Sequence, residues 1–546
     1  MKSKNKYTLS GNIVDLRANE IYKGTVHVEN GIITKVIKEL VKEDNYILPG
    51  LIDSHIHIES SMLIPSEFAK LAVVHGTVAT VSDPHEIANV LGIKGIDYMI
   101  EDARSVPVKF YFCAPSCVPA TTLETSGDEL GTEKIEELLK RDEILGLGEV
   151  MNFPGVINND PDVMKKIESA RRYSKVIDGH APGLSGEDLE KYVRAGISTN
   201  HECLSAEEAL ENIGAGMLVQ IREGSASAIL SEMLPLINDH FERFMFCSDD
   251  RHPDDLVKGH INDMVKRSLE YGIDIMKVLR IASVNPVMHY GLDSGLLRIG
   301  DSADFLEVDN LKDMNILKTY IEGRLVASEG KTLIQRSPSK ILNNFATHKK
   351  SVSDFAVPSS EGRINVIVAM DGQLITERLV AKPKIDKGLV ISDTERDILK
   401  IAVVNRYRDA PPSVGFVKNF GLKRGAIASS VAHDSHNIVA VGVTNEDIAR
   451  AVNLIIGEKG GISAVSCDKE MILPLPIAGI MSDNDYETIA LNYTAMDRFA
   501  KTMGSKLTAP FMTLSFMSLP VIPEIKITDR GIFDGSAFRY IDLFHS

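Results

Sequence analysis

Between residues 50 and 300 the chain alternates short, almost wholly apolar runs with longer amphipathic stretches. Apolar runs of four to eight residues bounded by turn signals are typical of buried strands, and apolar positions three and four residues apart are typical of helices. Eight such units match the size of a (β/α)₈ barrel, and a doubly wound open sheet is the alternative that strand counting leaves open. The predicted strands are 51–57, 77–82, 108–114, 143–150, 175–180, 197–202, 216–222 and 243–249.

The two segments that flank this region share another pattern. Residues 1–49 consist of short strand-like runs joined by turns, including the hairpin signal Asn30-Gly31, and a similar texture returns at 301–345. We therefore expect the two segments to form one small composite β-sandwich domain beside a catalytic barrel of residues 50–300.

The last third of the chain follows the polar stretch 337–353. It combines hairpin-like runs with two amphipathic helices, near 445–456 and 485–503. This mixture predicts a separate C-terminal α+β domain over residues 350–546.

Composition narrows the class of protein. The 546 residues are 44% hydrophobic and 25% charged, as expected of a globular chain with more than one core. A formal net charge of −16 argues against nucleic acid or an anionic membrane as a partner. Five cysteines, few and odd in number, indicate reduced thiols, and no signal peptide or long uncharged apolar run is present. We expect a cytoplasmic protein.

Metal-ligand residue types collect at the ends of the predicted strands, which is where barrel enzymes carry their catalytic residues. His55 and His57 end the first strand, and their side chains share one face because they are two residues apart. Each such residue alone could be a hydrogen-bonded core histidine or a capping carboxylate, but the joint pattern favours a metal centre. The candidate ligands are His55, His57, His180, His201, Glu149 and Asp249.

Six nitrogen and oxygen ligands without cysteine suit one or two ions of Zn²⁺, Fe²⁺ or Mn²⁺. Glu149, at the end of the fourth strand, could bridge two ions. Such a centre lowers the pKa of water toward about 7 and supports attack of hydroxide on an sp² carbon.

Several motifs carry a resemblance to known proteins. The run 48–57, together with the later histidines, Asp249 and the segment 300–305, resembles the amidohydrolase superfamily. More narrowly, the chain is similar to the bacterial adenine deaminase family over essentially its whole length, in segments 58–62, 81–89, 148–152, 248–251 and 431–437.

This resemblance implies a metal-dependent barrel that hydrolyses adenine to hypoxanthine and ammonia in purine salvage. It implies the six candidate ligands above, with Glu149 as the bridging carboxylate where some relatives use a carboxylated lysine. The expected cofactor is a divalent transition metal, in a binuclear centre of Mn²⁺ or Fe²⁺ with Zn²⁺ as an alternative. The expected partners are adenine and further copies of the chain, in the simplest case as a homodimer.

Deamination also needs groups that move protons. Asp249 is placed to take the proton of the attacking hydroxide, and a second acid or base must protonate the departing amine, because NH₂⁻ is a poor leaving group. Asp83 and Glu149 are the candidates, with His85 behind them. Asp83 could equally be a turn residue before Pro84.

Other polar residues could contact the substrate or an accessory ion. Glu86 and Arg222 lie near the ends of the second and seventh strands. His433, Asp434 and His436 lie in a loop that could close over the barrel mouth, contact the purine or hold an accessory ion, and an ordinary polar turn is the alternative.

Competing functions remain open within the superfamily. The zinc deaminases that carry a Cys-x-x-Cys signature are excluded, because the chain has no such pair. A guanine or cytosine deaminase or a cyclic amidohydrolase would use the same ligand spacing, and a non-catalytic scaffold on this fold is the remote alternative.

Overall fold

A closed parallel barrel forms the centre of the computed structural model, which describes residues 6–545. Consecutive strands pair in parallel along two runs of five and three strands. The runs join because the Ser198 N–H donates to the Ile177 carbonyl at 3.0 Å and the Asp249 N–H donates to the His55 carbonyl at 3.0 Å. The (β/α)₈ prediction is therefore confirmed and the open sheet is wrong. The barrel strands are Leu51–Ile56, Thr77–Ser82, Lys109–Ala114, Ile144–Val150, Val176–Gly179, Thr199–Asn200, Leu218–Arg222 and Phe244–Cys247.

Helices follow the strands and pack around the barrel. Their α-helical parts are Pro65–Ala72, His85–Leu91, Ile93–Ala103, Thr132–Leu139, Phe153–Ile157, Pro161–Arg172, Gly186–Arg194, Ala206–Gly214, Leu230–His240, Pro253–Leu256, Ile261–Glu270, Ile275–Leu279 and Asn285–Tyr290.

The sixth and eighth barrel strands each end two residues earlier than predicted, at the ends that carry candidate ligands. In the sixth strand, the Asn200 side-chain oxygen accepts from the N–H groups of Ala181 at 3.2 Å and Glu202 at 3.1 Å, which replaces the strand ladder there. The eighth strand ends at Cys247, and Asp249 adopts a left-handed backbone with φ of 50°. Few non-glycine residues adopt that conformation outside functional sites and turns.

The N-terminal segment and the segment after the barrel form one eight-stranded sheet. Tyr46–Pro49 joins the two halves, because it pairs with an N-terminal strand on one side and with Phe305–Val308 on the other. Ile13 and Val26 from one half share an apolar core with Tyr320 from the other. In spatial order the strands are Lys331–Thr332, Arg324–Ser328, Ile316–Ile321, Phe305–Val308, Tyr46–Pro49, Lys6–Asp15, Glu20–Glu29 and Ile32–Lys38.

The C-terminal region is built on a nine-stranded sheet with helices against it. Its two long helices, Asn445–Glu458 and Tyr486–Thr502, lie where the amphipathic pattern predicts them, and Pro510–Ser515 is a third. The sheet strands in spatial order are Thr376–Ala381, Arg363–Ala369, Ser413–Lys418, Ile398–Val404, Ile438–Gly442, Ala426–Ser429, Gly461–Ser466 and Lys469–Pro474, with Phe544–His545 pairing Arg363–Ala369. Smaller sheets comprise Lys384–Asp386 with Leu389–Ile391, and Ile525–Thr528 with Gly531–Asp534 and Arg539–Ile541.

The C-terminal region covers the barrel mouth. The Ser482 N–H donates to the Met62 carbonyl at 2.9 Å, and the Asn437 side chain donates to the Thr125 carbonyl at 2.9 Å. These contacts place C-terminal residues on the loops that follow the first and third barrel strands. All five cysteines are free, and among residues 6–545 no helix combines the length and apolarity needed to cross a membrane.

Candidate metal centre

Four imidazoles surround one buried carboxylate at the end of the fourth strand. Glu149 Oε1 lies 3.3 Å from His57 Nε2 and 3.3 Å from His85 Nδ1. Glu149 Oε2 lies 2.8 Å from His180 Nδ1 and 3.0 Å from His201 Nε2. Burial acts to raise the pKa of Glu149, but His180 and His201 hold it well below its usual range, so the group is a carboxylate. Its two oxygens thus contact two different pairs of imidazoles.

The two histidines of the first strand meet the aspartate of the eighth. His55 Nε2 lies 3.2 Å from His57 Nε2, and Asp249 Oδ1 lies 3.0 Å from His57 Nε2 and 3.7 Å from His55 Nε2. His57 Nδ1 donates to the Asp83 carbonyl at 2.9 Å, so Nε2 is the nitrogen that this ring directs into the cluster. A backbone acceptor of this kind is the usual way in which a metal-binding imidazole is oriented.

Arg222, at the end of the seventh strand, orients Asp249. Its Nε lies 2.5 Å from Asp249 Oδ2, and its guanidinium also contacts the Glu202 carboxylate. Burial acts to raise the pKa of Asp249, but Arg222 and then His57 hold it well below its usual range. The left-handed backbone of Asp249 is fixed because its N–H and carbonyl bond the main chain of His55 and His57, at 3.0 and 3.4 Å.

The donor set fits divalent transition-metal ions. It offers imidazole nitrogens and carboxylate oxygens without thiolates. Several groups of three donors lie within 4.8 Å of one another, among them His55, His57 and Asp249, and His55, Glu149 and His201. Burial acts to lower the pKa of His57, yet Asp249 and Glu149 raise it well above its ordinary value. The cluster therefore stabilises positive charge at this point, as a cation site must.

The second strand brings a further carboxylate to the centre. Asp83 Oδ2 accepts from the Glu149 N–H at 3.0 Å, while Asp83 Oδ1 is buried without a hydrogen-bond partner. His85 lies between this residue and Glu86, with Nδ1 3.7 Å from Asp83 Oδ2 and Nε2 3.4 Å from Glu86 Oε1. An ionisable oxygen that is buried and unpaired is available to a substrate.

The loop of the C-terminal region reaches the same place. His433, Asp434 and His436 are each no more than 3% exposed, so the loop is not an exposed polar turn. His433 Nδ1 contacts Glu86 Oε1, and His436 Nε2 lies 2.5 Å from Glu86 Oε2. Burial raises the pKa of Asp434 to about 7, although the nearby His85 acts to lower it. The structure thus joins the accessory candidates Glu86 and His433 across the two regions.

Four buried polar residues, near the centre or near the loop of His433 and Asp434, were not among the sequence candidates. Glu202 lies 3.6 Å from His201 Nε2, and its position directly after that histidine was a usable signal. Glu59 has one carboxylate oxygen without a partner, and burial raises its pKa to about 7. His252 Nε2 and both Glu124 oxygens are likewise buried and unpartnered. Nothing in the local sequence around Glu124 marks it, because Asp434 and its other neighbours come from distant parts of the chain.

A closed barrel with histidines and carboxylates at its carboxyl-terminal strand ends defines a metal-dependent hydrolase of the amidohydrolase type. Residues 46–326 match the amidohydrolase family model, and residues 373–539 match that of the adenine deaminase C-terminal domain. Curated adenine deaminases from Salinibacter ruber and a Sulfurovum species are 52% and 53% identical over 98% of this chain and 99% of each relative. The chain belongs to the adenine deaminase family, which confirms the resemblance seen in the sequence.

The family extends to archaea, since an adenine deaminase of Methanosarcina mazei is 50% identical over 98% of this chain and 99% of its own length. Among solved structures, a beta-aspartyl dipeptidase from Fervidobacterium islandicum aligns with a TM-score of 0.46 and 15% identity, over 62% of this chain and 100% of that one.

Proposed function

We propose that this chain is an adenine deaminase, which hydrolyses adenine to hypoxanthine and ammonia. The observation that carries the proposal is its 52% identity to a curated adenine deaminase over both the barrel and the C-terminal region. The buried cluster around Glu149 is compatible with that chemistry, because its donors suit an ion that activates water.

The residues that would hold metal divide into two sides of one carboxylate. His55, His57 and Asp249 form one side, His180 and His201 form the other, and Glu149 lies between them. When bound, the divalent ions would supply Lewis acidity and lower the pKa of water toward about 7. We propose two ions, Mn²⁺ or Fe²⁺, with Zn²⁺ as the alternative, since imidazole and carboxylate donors accept all three.

The chain's own residues would move the protons. Asp249 is an ionised carboxylate held by Arg222, and it can accept the proton that water loses on attack at C6. Asp83 is the proposed second group, because its free Oδ1 lies on a carboxylate fixed by the Glu149 N–H. It would deliver a proton to the purine ring or the departing amine, with His85 alongside. Asp83 and Asp249 are each 2% exposed, so each transfer depends on these groups rather than on bulk water beside them.

Ammonia release tests the proposal directly. Protein purified from manganese-supplemented cells should release ammonia from adenine and much less from guanine, cytosine or hydantoin, and a chelator should abolish the reaction. If the protein turns over guanine, cytosine or hydantoin but not adenine, the assignment is refuted and a different amidohydrolase activity is favoured. Light scattering on the same sample tests the proposed homodimer.

A further inference from the structure

A purine held with C6 at the metal centre presents ring nitrogens that need hydrogen-bond donors. N3 is an acceptor in both adenine and hypoxanthine, and so is N7 in their 9H tautomers. The Glu86–His433–His436 cluster lies beside the centre, where the C-terminal region covers the barrel, and the proposed function assigns it no part. Its hydrogen-bonding pattern indicates what it can do.

The pattern argues against an accessory metal at His436. The Ala432 N–H donates to His436 Nδ1 at 3.2 Å, so the hydrogen of the neutral ring is on Nε2. That Nε2 lies 2.5 Å from Glu86 Oε2. A nitrogen that carries hydrogen has no electron pair for a metal ion, and its role here is to hold the Glu86 carboxylate in place.

His433 is fixed on three sides and free on the fourth. Its main-chain N–H donates to the Ser515 carbonyl at 3.0 Å. Its ring stacks on Phe516 with centroids 4.4 Å apart, and the ring nitrogen Nδ1 contacts Glu86. Glu86 is ionised, because the surrounding histidines overcome burial and hold its pKa well below the usual range, so the shared hydrogen belongs to His433 Nδ1. His433 Nε2 is buried and has no hydrogen-bond partner among residues 6–545.

The surroundings favour a positive charge on this ring. Burial acts to lower the pKa of His433, but Glu86 and then Asp250 raise it to about 9. His252, which also acts on His433 electrostatically, is neutral because burial lowers its own pKa to about 3. With both ring nitrogens of His433 carrying hydrogen, the free Nε2 is a donor.

We propose that His433 Nε2 donates a hydrogen bond to N3 or N7 of the purine, with Glu86 as the positioning residue that aims the ring. The proposal rests on the proposed adenine deaminase function. It gives the C-terminal region a part in substrate recognition, separate from metal binding and from attack at C6.

The test uses the metal-loaded full chain and the product hypoxanthine, which is not turned over, so binding is measured by calorimetry without catalysis. His433→Asn retains a donor to Glu86 and loses Nε2, and it should weaken hypoxanthine binding by about tenfold to hundredfold, as expected for a hydrogen bond to a charged group. His433→Gln restores an amide donor near Nε2 and should bind more tightly than His433→Asn. His348→Asn, at an exposed histidine just before the C-terminal region, is the matched control and should bind like the wild type.

Deaza analogues separate a hydrogen bond from a packing effect. Wild-type protein should bind one of the two analogues, 3-deazahypoxanthine or 7-deazahypoxanthine, at least tenfold more weakly than hypoxanthine. The affinities of His433→Asn for that analogue and for hypoxanthine should differ by less than about twofold. Glu86→Gln as a single substitution should weaken hypoxanthine binding. Combined with His433→Asn, it should weaken binding little beyond the effect of His433→Asn alone. Equal hypoxanthine affinity of His433→Asn and wild type, or undiminished discrimination in the variant, would overturn the inference.

The outcomes also separate this inference from the proposed function. If the wild type deaminates adenine while His433→Asn binds hypoxanthine normally, only the inference is wrong. If the wild type neither deaminates adenine nor binds hypoxanthine, both are wrong. Metal content and the thermal unfolding midpoint, measured on each variant, establish that a loss of binding is not a loss of fold.

Discussion

Gly148 leaves no space for a side chain beside the proposed proton-transfer group. A Cβ added there would lie 2.1 Å from Asp83 Oδ2 and 2.6 Å from Asp83 Cγ. Carbon and oxygen need about 3.5 Å, so the Asp83 carboxylate would have to move by more than about 1 Å. That carboxylate also accepts the Glu149 N–H at 3.0 Å, and the movement would break or lengthen this bond. A misplacement of this size costs roughly 10²-fold in rate.

We therefore expect Gly148→Ala to lower kcat for adenine about 10²-fold while the protein keeps its fold and its metal. Steady-state ammonia release, metal analysis and thermal unfolding measure the three quantities. Gly214→Ala is the matched control, because a Cβ there meets no atom within 4 Å, and it should keep the wild-type kcat.

The steric explanation predicts non-additivity. In an Asp83→Ala background no carboxylate is left to displace, so Gly148→Ala should cost little more than Asp83→Ala alone. Wild-type kcat in Gly148→Ala would refute the reasoning, and so would a full additional loss in the double variant.

Three further predictions follow from the same structure. His57→Ala and Glu149→Gln should each abolish measurable ammonia release, because each removes a central donor of the cluster, and wild-type turnover in either would contradict the site. Chelated protein should regain activity when Mn²⁺, Fe²⁺ or Zn²⁺ is restored separately, and equal activity before and after chelation would rule out metal dependence. Lys526 is fully buried, and burial lowers its pKa from 10.5 to about 7, so the unfolded chain binds more protons between these values and stability rises with pH there. Lys526→Met should therefore raise the unfolding midpoint more at pH 7 than at pH 10, and an equal gain at both would show that burial of the charge is not the cause.

The barrel and its strand ends could be predicted because both depend on local sequence. Apolar runs located the eight strands to within a few residues, and a parallel barrel brings strand ends together, so Glu149 and its imidazoles could be grouped from the sequence alone. The sixth strand was predicted too long, because Asn200 uses its side chain to bond the main chain that a strand would otherwise pair.

The partner of His433 could not be predicted in this way. Glu86 and His433 lie 347 positions apart, and no periodicity relates a barrel loop to a loop of another region. The unpaired ring nitrogens of His433 and His252 could not be predicted either, because only tertiary packing decides which buried polar atoms have a hydrogen-bond partner.

Exposure is uneven across the proposed ligands. The His180 side chain is 16% exposed, whereas those of Glu149 and Asp249 are no more than 3% exposed. Solvent therefore reaches the cluster from the fifth-strand side, and the two proposed ions would not be kinetically equivalent. An ion held by His180 and His201 would leave and return first, so a brief exposure to chelator would yield a half-loaded protein in which the ion beside His55 and His57 remains.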